Sequence, residues 1–117
     1  MLRYLFVFVM FIHGLIHLMG FAKAFGYSGV NQITGEISRM SGIFWLIGTV
    51  LFVLAAFLFL VKNDSWFWVA LLACATSQTL IFMLWKDAKF GTIANVIIVV
   101  AAIIIAAGKE MKYVFRD

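Results

Sequence analysis

Four long apolar runs dominate the sequence and decide what the chain can fold into. They cover approximately residues 2–21, 41–61, 66–85 and 92–108, and every charged residue except Arg3 lies outside them. A helix rises about 1.5 Å per residue, so about 20 apolar residues cross the ~30 Å hydrocarbon core of a bilayer. None of the runs alternates polar and apolar residues as the strands of a membrane barrel do. We therefore predict an all-α integral membrane four-helix bundle that forms a single domain over residues 1–117.

The composition favours a membrane protein over a soluble one. Hydrophobic residues make up 66% of the chain and charged residues only 12%, too few to coat a soluble domain of this size. The net charge of +4 comes from basic residues at the ends of the apolar runs. Such flanks face anionic lipid headgroups, so we expect the lipid bilayer as a partner and exclude nucleic acid.

One connection between the runs is much longer than the others. Residues 22–40, "AKAFGYSGVNQITGEISRM", link the first span to the second. Loops of this length are often functional. This one also fits a short amphipathic helix on the membrane surface.

Four spans place both termini on the same side of the membrane. That side carries five basic residues and the opposite side four: Arg3, Lys62, Lys109, Lys112 and Arg116 against Lys23, Arg39, Lys86 and Lys89. By the positive-inside rule, this difference favours a multi-pass protein with both termini in the cytoplasm.

The stretch "FIHGLIHLMG" holds both histidines of the chain inside an apolar run. Residues four apart share a helix face, so His13 and His17 point the same way, together with Met10 and Gly20. Counting along the spans places polar side chains of all four in the membrane half nearer the long link: His13, His17, Thr49, Gln78 and Asn95. Unpaired polar groups are costly in hydrocarbon, so we expect a histidine to bond Gln78 or Asn95 inside a polar pocket.

The predicted pocket opens toward the long link and toward the turn "KDAKFG", residues 86–91. Trp45 and Trp85 are candidates for its walls, and Trp85 falls on one stripe of the third span with Leu71, Cys74 and Gln78. The predicted polar rim contains Lys23, Glu36, Arg39, Asp87 and Lys89.

Three interpretations fit this pocket. Imidazole and amide groups are good hydrogen-bond partners for a quinone or a lipid headgroup, and aromatic side chains would hold an apolar tail. The His13/His17 pair can also chelate a transition metal, although no carboxylate in any span supplies a third ligand. Haem is not expected, because two histidines of one helix cannot straddle its ring. In the third interpretation the histidines only bond helices together.

The sequence contains no arrangement of a nucleophile with a base and no phosphate-binding loop. Cys74 lies in apolar surroundings, where its thiol is expected to be inert. These features favour an accessory or scaffold subunit of a larger membrane assembly, or a self-associating protein, over an enzyme.

Two motifs carry a family resemblance. The segments "HGLIHLMGFAKAFG" (His13–Gly26) and "WKDAKFGTIANVIIV" (Trp85–Val99) resemble a group of uncharacterised bacterial four-helix inner-membrane proteins. That group in turn resembles the DoxX-like superfamily of small membrane proteins. The resemblance implies a bacterial inner-membrane location and, through the DoxX-like proteins, a link to quinone-coupled thiosulfate oxidation and membrane redox complexes.

Overall fold

A computed structural model describes residues 2–27 and 35–108 of the chain. In this part of the chain 83% of the residues are helical and none forms a strand, which confirms the all-α prediction. The helices are α1 Leu2–Ile16, α2 Leu18–Ala24, α3 Arg39–Leu60, α4 Trp66–Met83, α5 Trp85–Ala88 and α6 Gly91–Ala107.

Three of the described helical segments are long and apolar enough to cross a membrane. They are α1 with α2 (Leu2–Ala24, 23 residues), α3 (22 residues) and α4 (18 residues). Helix α6 has 17 residues. Its length of about 25 Å is less than the ~30 Å of a hydrocarbon core. The predicted fourth span, residues 92–108, corresponds to this shorter helix, so length and composition support three spans and leave α6 as a shorter apolar helix.

The four longer helices pack side by side in a ring. Helix α3 lies between α1 and α4, and α6 contacts both α4 and α1. At the end nearer residue 2 the interior is almost entirely apolar. There the rings of Phe6, Phe59 and Trp66 meet edge to face, with centroids 4.9–5.7 Å apart. Arg3 is buried at this end and donates a hydrogen bond from Nη2 to the backbone oxygen of Leu60.

Large apolar side chains cover the outside of this ring of helices. Phe8, Phe57, Trp68 and Phe82 are between 57% and 70% exposed. Soluble monomers rarely expose contiguous apolar surface on this scale, so these faces need lipid or another protein around them.

Two hydrogen bonds hold the described end of the long link in place. The hydroxyl of Ser38 caps α3 by accepting a hydrogen bond from the backbone N–H of Ser41, 3.1 Å away. The backbone N–H of Gly35 donates to Oδ2 of Asp87 in α5 at 2.8 Å. The predicted surface helix within the link falls partly on residues 28–34, which lie outside the described residues.

Candidate functional site

The site begins with a local tightening of the helix at His17, the single residue between α1 and α2. The Nδ1 atom of its ring donates to the backbone oxygen of His13, 2.7 Å away. In a regular α-helix that oxygen accepts from the backbone N–H of His17. Here this N–H donates to the backbone oxygen of Gly14 instead, at 3.1 Å, which narrows the helix for one turn. The side chain of His17 is thereby fixed to its own helix.

The same hydrogen bond determines which nitrogen of His17 carries the proton. A carbonyl oxygen only accepts, so Nδ1 donates and Nε2 of the neutral ring keeps a lone pair. Nε2 lies 2.6 Å from the hydroxyl oxygen of Ser77 on α4, so this hydroxyl donates to the ring. Since its one proton is then used, the oxygen of Ser77 accepts a hydrogen bond from Nδ2 of Asn95 at 3.0 Å.

The orientation of the Asn95 amide on α6 fixes which atoms of His13 and Gln78 donate and which accept. Its Nδ2 donates to Ser77 and to Oε1 of Gln78, both at 3.0 Å, so its Oδ1 faces the other way. Oδ1 accepts from Nε2 of His13 at 2.9 Å. Nε2 of Gln78 in turn donates to the hydroxyl oxygen of Thr92 at 2.9 Å. The predicted pairing of a histidine with Asn95 is confirmed, and the two histidines hold opposite tautomers.

Two predicted pocket residues contact the histidine-bearing segment from α3. The hydroxyl of Thr49 donates to the backbone oxygen of Gly14 at 2.8 Å, so this oxygen accepts from both Thr49 and His17. Trp45 is 6% exposed, and its ring lies beside that of His17 with centroids 5.2 Å apart. A Cβ added at Gly20 would lie 2.3–2.8 Å from three atoms of the Trp45 ring, so only glycine admits the indole here.

A cavity of about 340 Å³ lies beside the two imidazoles. His13, His17, Trp45 and Asp87 line it, and the remaining lining is apolar side chain and glycine. It is adjacent to the turn between α5 and α6, the direction in which the sequence predicts an opening. Two of its lining residues, Ile16 and Phe90, are 53% and 74% exposed. The cavity therefore reaches the outer apolar surface of the helices.

His13 keeps one ring nitrogen outside the hydrogen-bond network. Nε2 is bonded to Asn95, and no described residue donates to Nδ1. The side chain is 6% exposed and lines the cavity. Its Cε1, the ring carbon between the two nitrogens, lies 3.6 Å from the position that a Cβ at Gly91 would occupy. Nδ1 is not fully buried, because the fully buried side-chain nitrogen without a partner among the described residues is Nε of Arg3, so the cavity wall carries an accessible acceptor.

The histidine pair does not present two lone pairs to one metal ion. Three of its four ring nitrogens are engaged: both nitrogens of His17 and Nε2 of His13. The two rings are nearly perpendicular, at 88°, with centroids 4.7 Å apart. Among the described residues, no group of three or more His, Cys, Asp or Glu side chains is placed to hold a metal ion. Chelation by His13 and His17 would have to break the network, so this geometry does not favour the predicted metal site.

Four of the predicted pocket residues do not line this cavity: Thr49, Gln78, Trp85 and Asn95. The predicted stripe requires the third span to continue unbroken to residue 85, but α4 ends at Met83 and the chain turns at Leu84. Trp85 therefore begins α5 and is 46% exposed, with its ring stacked on that of Phe82. Gln78 is half-buried in a groove between α4 and α6 and reaches His13 only through Asn95.

The predicted rim residues have different positions. Asp87 lines the cavity and accepts from the backbone of Gly35. Glu36, Arg39 and Lys89 are exposed, and Lys23 is half-buried on α2. The guanidinium of Arg39 lies over the ring of Phe25, and the ammonium of Lys89 lies over that of Phe90, at 5.9 and 5.5 Å from the centroids.

The predicted pocket set omits two members of the network, Ser77 and Thr92. A hydroxyl is a weak signal in an apolar helix because it can bond its own backbone, as Thr79 does to the oxygen of Ala75 at 2.9 Å. The spacing of small residues along α4 is a better indication that Ser77 is buried. Ala70, Ala73 and Ser77 are small residues at i, i+3 and i+7, and all three are fully buried. Such a stripe marks the side of a helix that packs most closely against its neighbours.

No family model, no curated protein and no solved structure matches this chain. The resemblance to DoxX-like proteins therefore stays a prediction.

Proposed function

We propose that this chain is an integral membrane protein that binds the polar ring of a quinone-class amphiphile in the cavity beside His13. The observation that carries the proposal is a single cavity that combines an accessible imidazole acceptor, aromatic walls and an opening to the apolar surface. The charge distribution and the family resemblance support a bacterial inner membrane as its location, with both termini in the cytoplasm.

Membrane insertion is supported by the length of the helices and by what they expose. Three described segments have the length and hydropathy of a span, and outward faces such as those of Phe57 and Trp68 are apolar. In water these faces would favour aggregation, whereas lipid tails solvate them. The shorter α6 can be accommodated by local thinning of the bilayer at a modest cost.

A ring-shaped head group is supported by the size and chemistry of the cavity. Its volume of about 340 Å³ is near the lower end of the ~300–1,000 Å³ of small-molecule sites, which suits one ring and not a whole lipid. Trp45 and Phe90 offer flat aromatic surfaces, and His13 offers a polar contact. Because the cavity reaches the surface at Ile16 and Phe90, an apolar tail would extend into the surrounding lipid.

Membrane insertion predicts how the protein behaves on extraction. We expect the expressed chain to remain with the membrane pellet after washing with alkaline carbonate and with urea, and to be released by detergent. Lipid burial of the outward faces is the reason, because neither wash replaces a lipid environment. The measurement is an immunoblot of pellet and supernatant, with a peripheral membrane protein as the control. Release by carbonate alone would contradict insertion.

Filling the cavity is expected to weaken binding of a quinone-class probe. Ala94 lines the cavity from α6, and leucine at this position places extra methyl groups in the space that the ring would occupy. We expect Ala94→Leu to raise the Kd for decylhydroquinone by about tenfold or more, as overpacking of a site does. Equilibrium dialysis of the purified protein in detergent micelles measures this.

The matched control for this experiment is Ala106→Leu. Ala106 lies on the same helix, is exposed and is remote from the cavity. We expect Ala106→Leu to bind decylhydroquinone with the same Kd as the wild type. Equal affinities of wild type, Ala94→Leu and Ala106→Leu would show that the probe binds elsewhere, and the proposed site would be abandoned.

The accessory-subunit role stays a prediction beside this proposal. The observation that favours it is the open apolar groove between α4 and α6, which Leu71, Val96 and Val100 line. A partner helix or a lipid tail would cover this groove equally well.

A further inference from the structure

We infer that the cavity selects the hydroxyl-bearing, reduced form of the ring over the carbonyl-bearing, oxidised form. This inference rests on the proposed function and names the class of head group that the same cavity takes. It follows from one atom, Nδ1 of His13, which is an accessible acceptor on a cavity-lining side chain and has no donor among the described residues.

The hydrogen bonds of His17, Ser77 and Asn95 together make Nδ1 of His13 an acceptor. His17 has to donate from Nδ1 because its partner is a backbone carbonyl, and this leaves its Nε2 to the proton of Ser77. A reversed amide at Asn95 would aim Oδ1 at Ser77, whose only proton is already given to His17. Asn95 therefore keeps Oδ1 toward His13, whose Nε2 holds the proton. In the neutral ring, Nδ1 is then left with its lone pair.

A hydroxyl group satisfies this lone pair, and a ring carbonyl does not. A carbonyl or a methyl ether has no proton to donate, so when it binds it leaves Nδ1 buried without a partner. Donors in the cavity wall do not reverse the preference, because a hydroxyl oxygen accepts as well as donates.

The wild-type protein tests the inference directly. It is dialysed in detergent micelles against decylhydroquinone held under argon, decylbenzoquinone, and the dimethyl ether of the hydroquinone. We expect the hydroquinone to bind about tenfold more tightly than either of the other two, which is the usual worth of one buried hydrogen bond. If none of the three probes binds, the proposed function itself fails. If the quinone or the ether binds as tightly as the hydroquinone, the cavity keeps its function and the selection for a hydroxyl is overturned.

A pair of variants assigns the preference to His13. His13→Phe removes the acceptor and keeps an aromatic ring, so the ratio of quinone to hydroquinone Kd is expected to fall to about one, from about ten. Trp45→Phe shortens an aromatic wall of the same cavity and leaves His13 in place, so both Kd values are expected to rise while their ratio is kept. A ratio that is unchanged in His13→Phe would overturn the inference.

The tautomers provide a test that needs no variant and no change in affinity. Long-range proton–nitrogen NMR on histidine-labelled wild-type protein distinguishes the two neutral forms of each imidazole. We expect the Nε2–H form at His13 and the Nδ1–H form at His17. The Nδ1 resonance of His13 is expected to shift with hydroquinone and to stay in place with the dimethyl ether. An Nδ1–H form at His13 would overturn the inference even if His13→Phe failed to fold.

Discussion

Replacing Asn95 with leucine is expected to lower the free energy of unfolding by about 2–4 kcal/mol. Leucine has a similar size and shape but removes the acceptor of His13 and the donors to Ser77 and Gln78. Three polar groups on two helices then lose a partner at once, and a buried group left unpaired costs more than the bond it made. Unfolding of the purified protein by sodium dodecyl sulfate in mixed micelles measures the change.

Thr79→Leu is the matched control for Asn95→Leu. Thr79 is exposed on α4, and its hydroxyl bonds only the backbone oxygen of Ala75 in its own helix. Its loss is expected to change the unfolding free energy by less than about 0.5 kcal/mol. Ser77→Ala added to Asn95→Leu should cost less than the sum of the two single changes, because both remove parts of one network. Equal stability of Asn95→Leu and Thr79→Leu would show that the network does not hold the helices together.

The level at which the polar groups meet was predictable from the sequence because helix geometry converts residue number into height. Counting along the apolar runs places His13 and Asn95 at similar depths, and the cost of an unpaired amide in hydrocarbon then favours their pairing. The structure contains this hydrogen bond, at 2.9 Å. The same counting leaves the other half of the interior apolar, which is where Phe6, Phe59 and Trp66 meet.

The rotation of each helix about its axis was not predictable in the same way. Ser77 and Gln78 are neighbours in sequence but point about 100° apart on a helix, and only the packed structure shows that Ser77 faces His17. The turn at Leu84 likewise moves Trp85 off the stripe that it would share with Gln78 on an unbroken helix. A run of apolar residues carries no signal for such a break.

The direction of the hydrogen bonds depends on the competition between the side chain and the backbone N–H of His17 for one carbonyl oxygen. Residue spacing does not predict its outcome. The side chain of His17 takes a carbonyl that its own backbone would otherwise use, and every tautomer and amide orientation in the network follows from that exchange. A prediction that His13 pairs with Asn95 therefore could not say which of its nitrogens would be left for a ligand.

Replacing Gly42 with alanine is expected to lower the unfolding free energy by about 1–3 kcal/mol, and adding Ala24→Gly is expected to restore most of it. A Cβ at Gly42 would lie 2.2 Å from the Cβ of Ala24, where α3 meets α2. Neither atom is the end of a flexible side chain, so the two helices have to separate. Their separation would also disturb the cavity, which Gly20 of α2 and Trp45 of α3 line. Detergent unfolding of the two single variants and the double variant measures the coupling.

Gly91→Ala is the matched control, because the one close approach of the new Cβ is to the tip of a side chain, Cδ1 of Ile81 at 2.9 Å, and its distance of 3.6 Å to Cε1 of His13 is an ordinary contact. The Cδ1 atom can move away, so the change is expected to stay within about 0.5 kcal/mol. The double variant again has one methyl group at the contact between α2 and α3, now on α3. It should come within about 1 kcal/mol of the wild type, since a glycine within α2 still costs backbone entropy. If the double variant loses as much unfolding free energy as the two single variants together, the close approach at Gly42 does not determine how α2 packs against α3. The polar network around His17 would then have to position α1 and α2 alone.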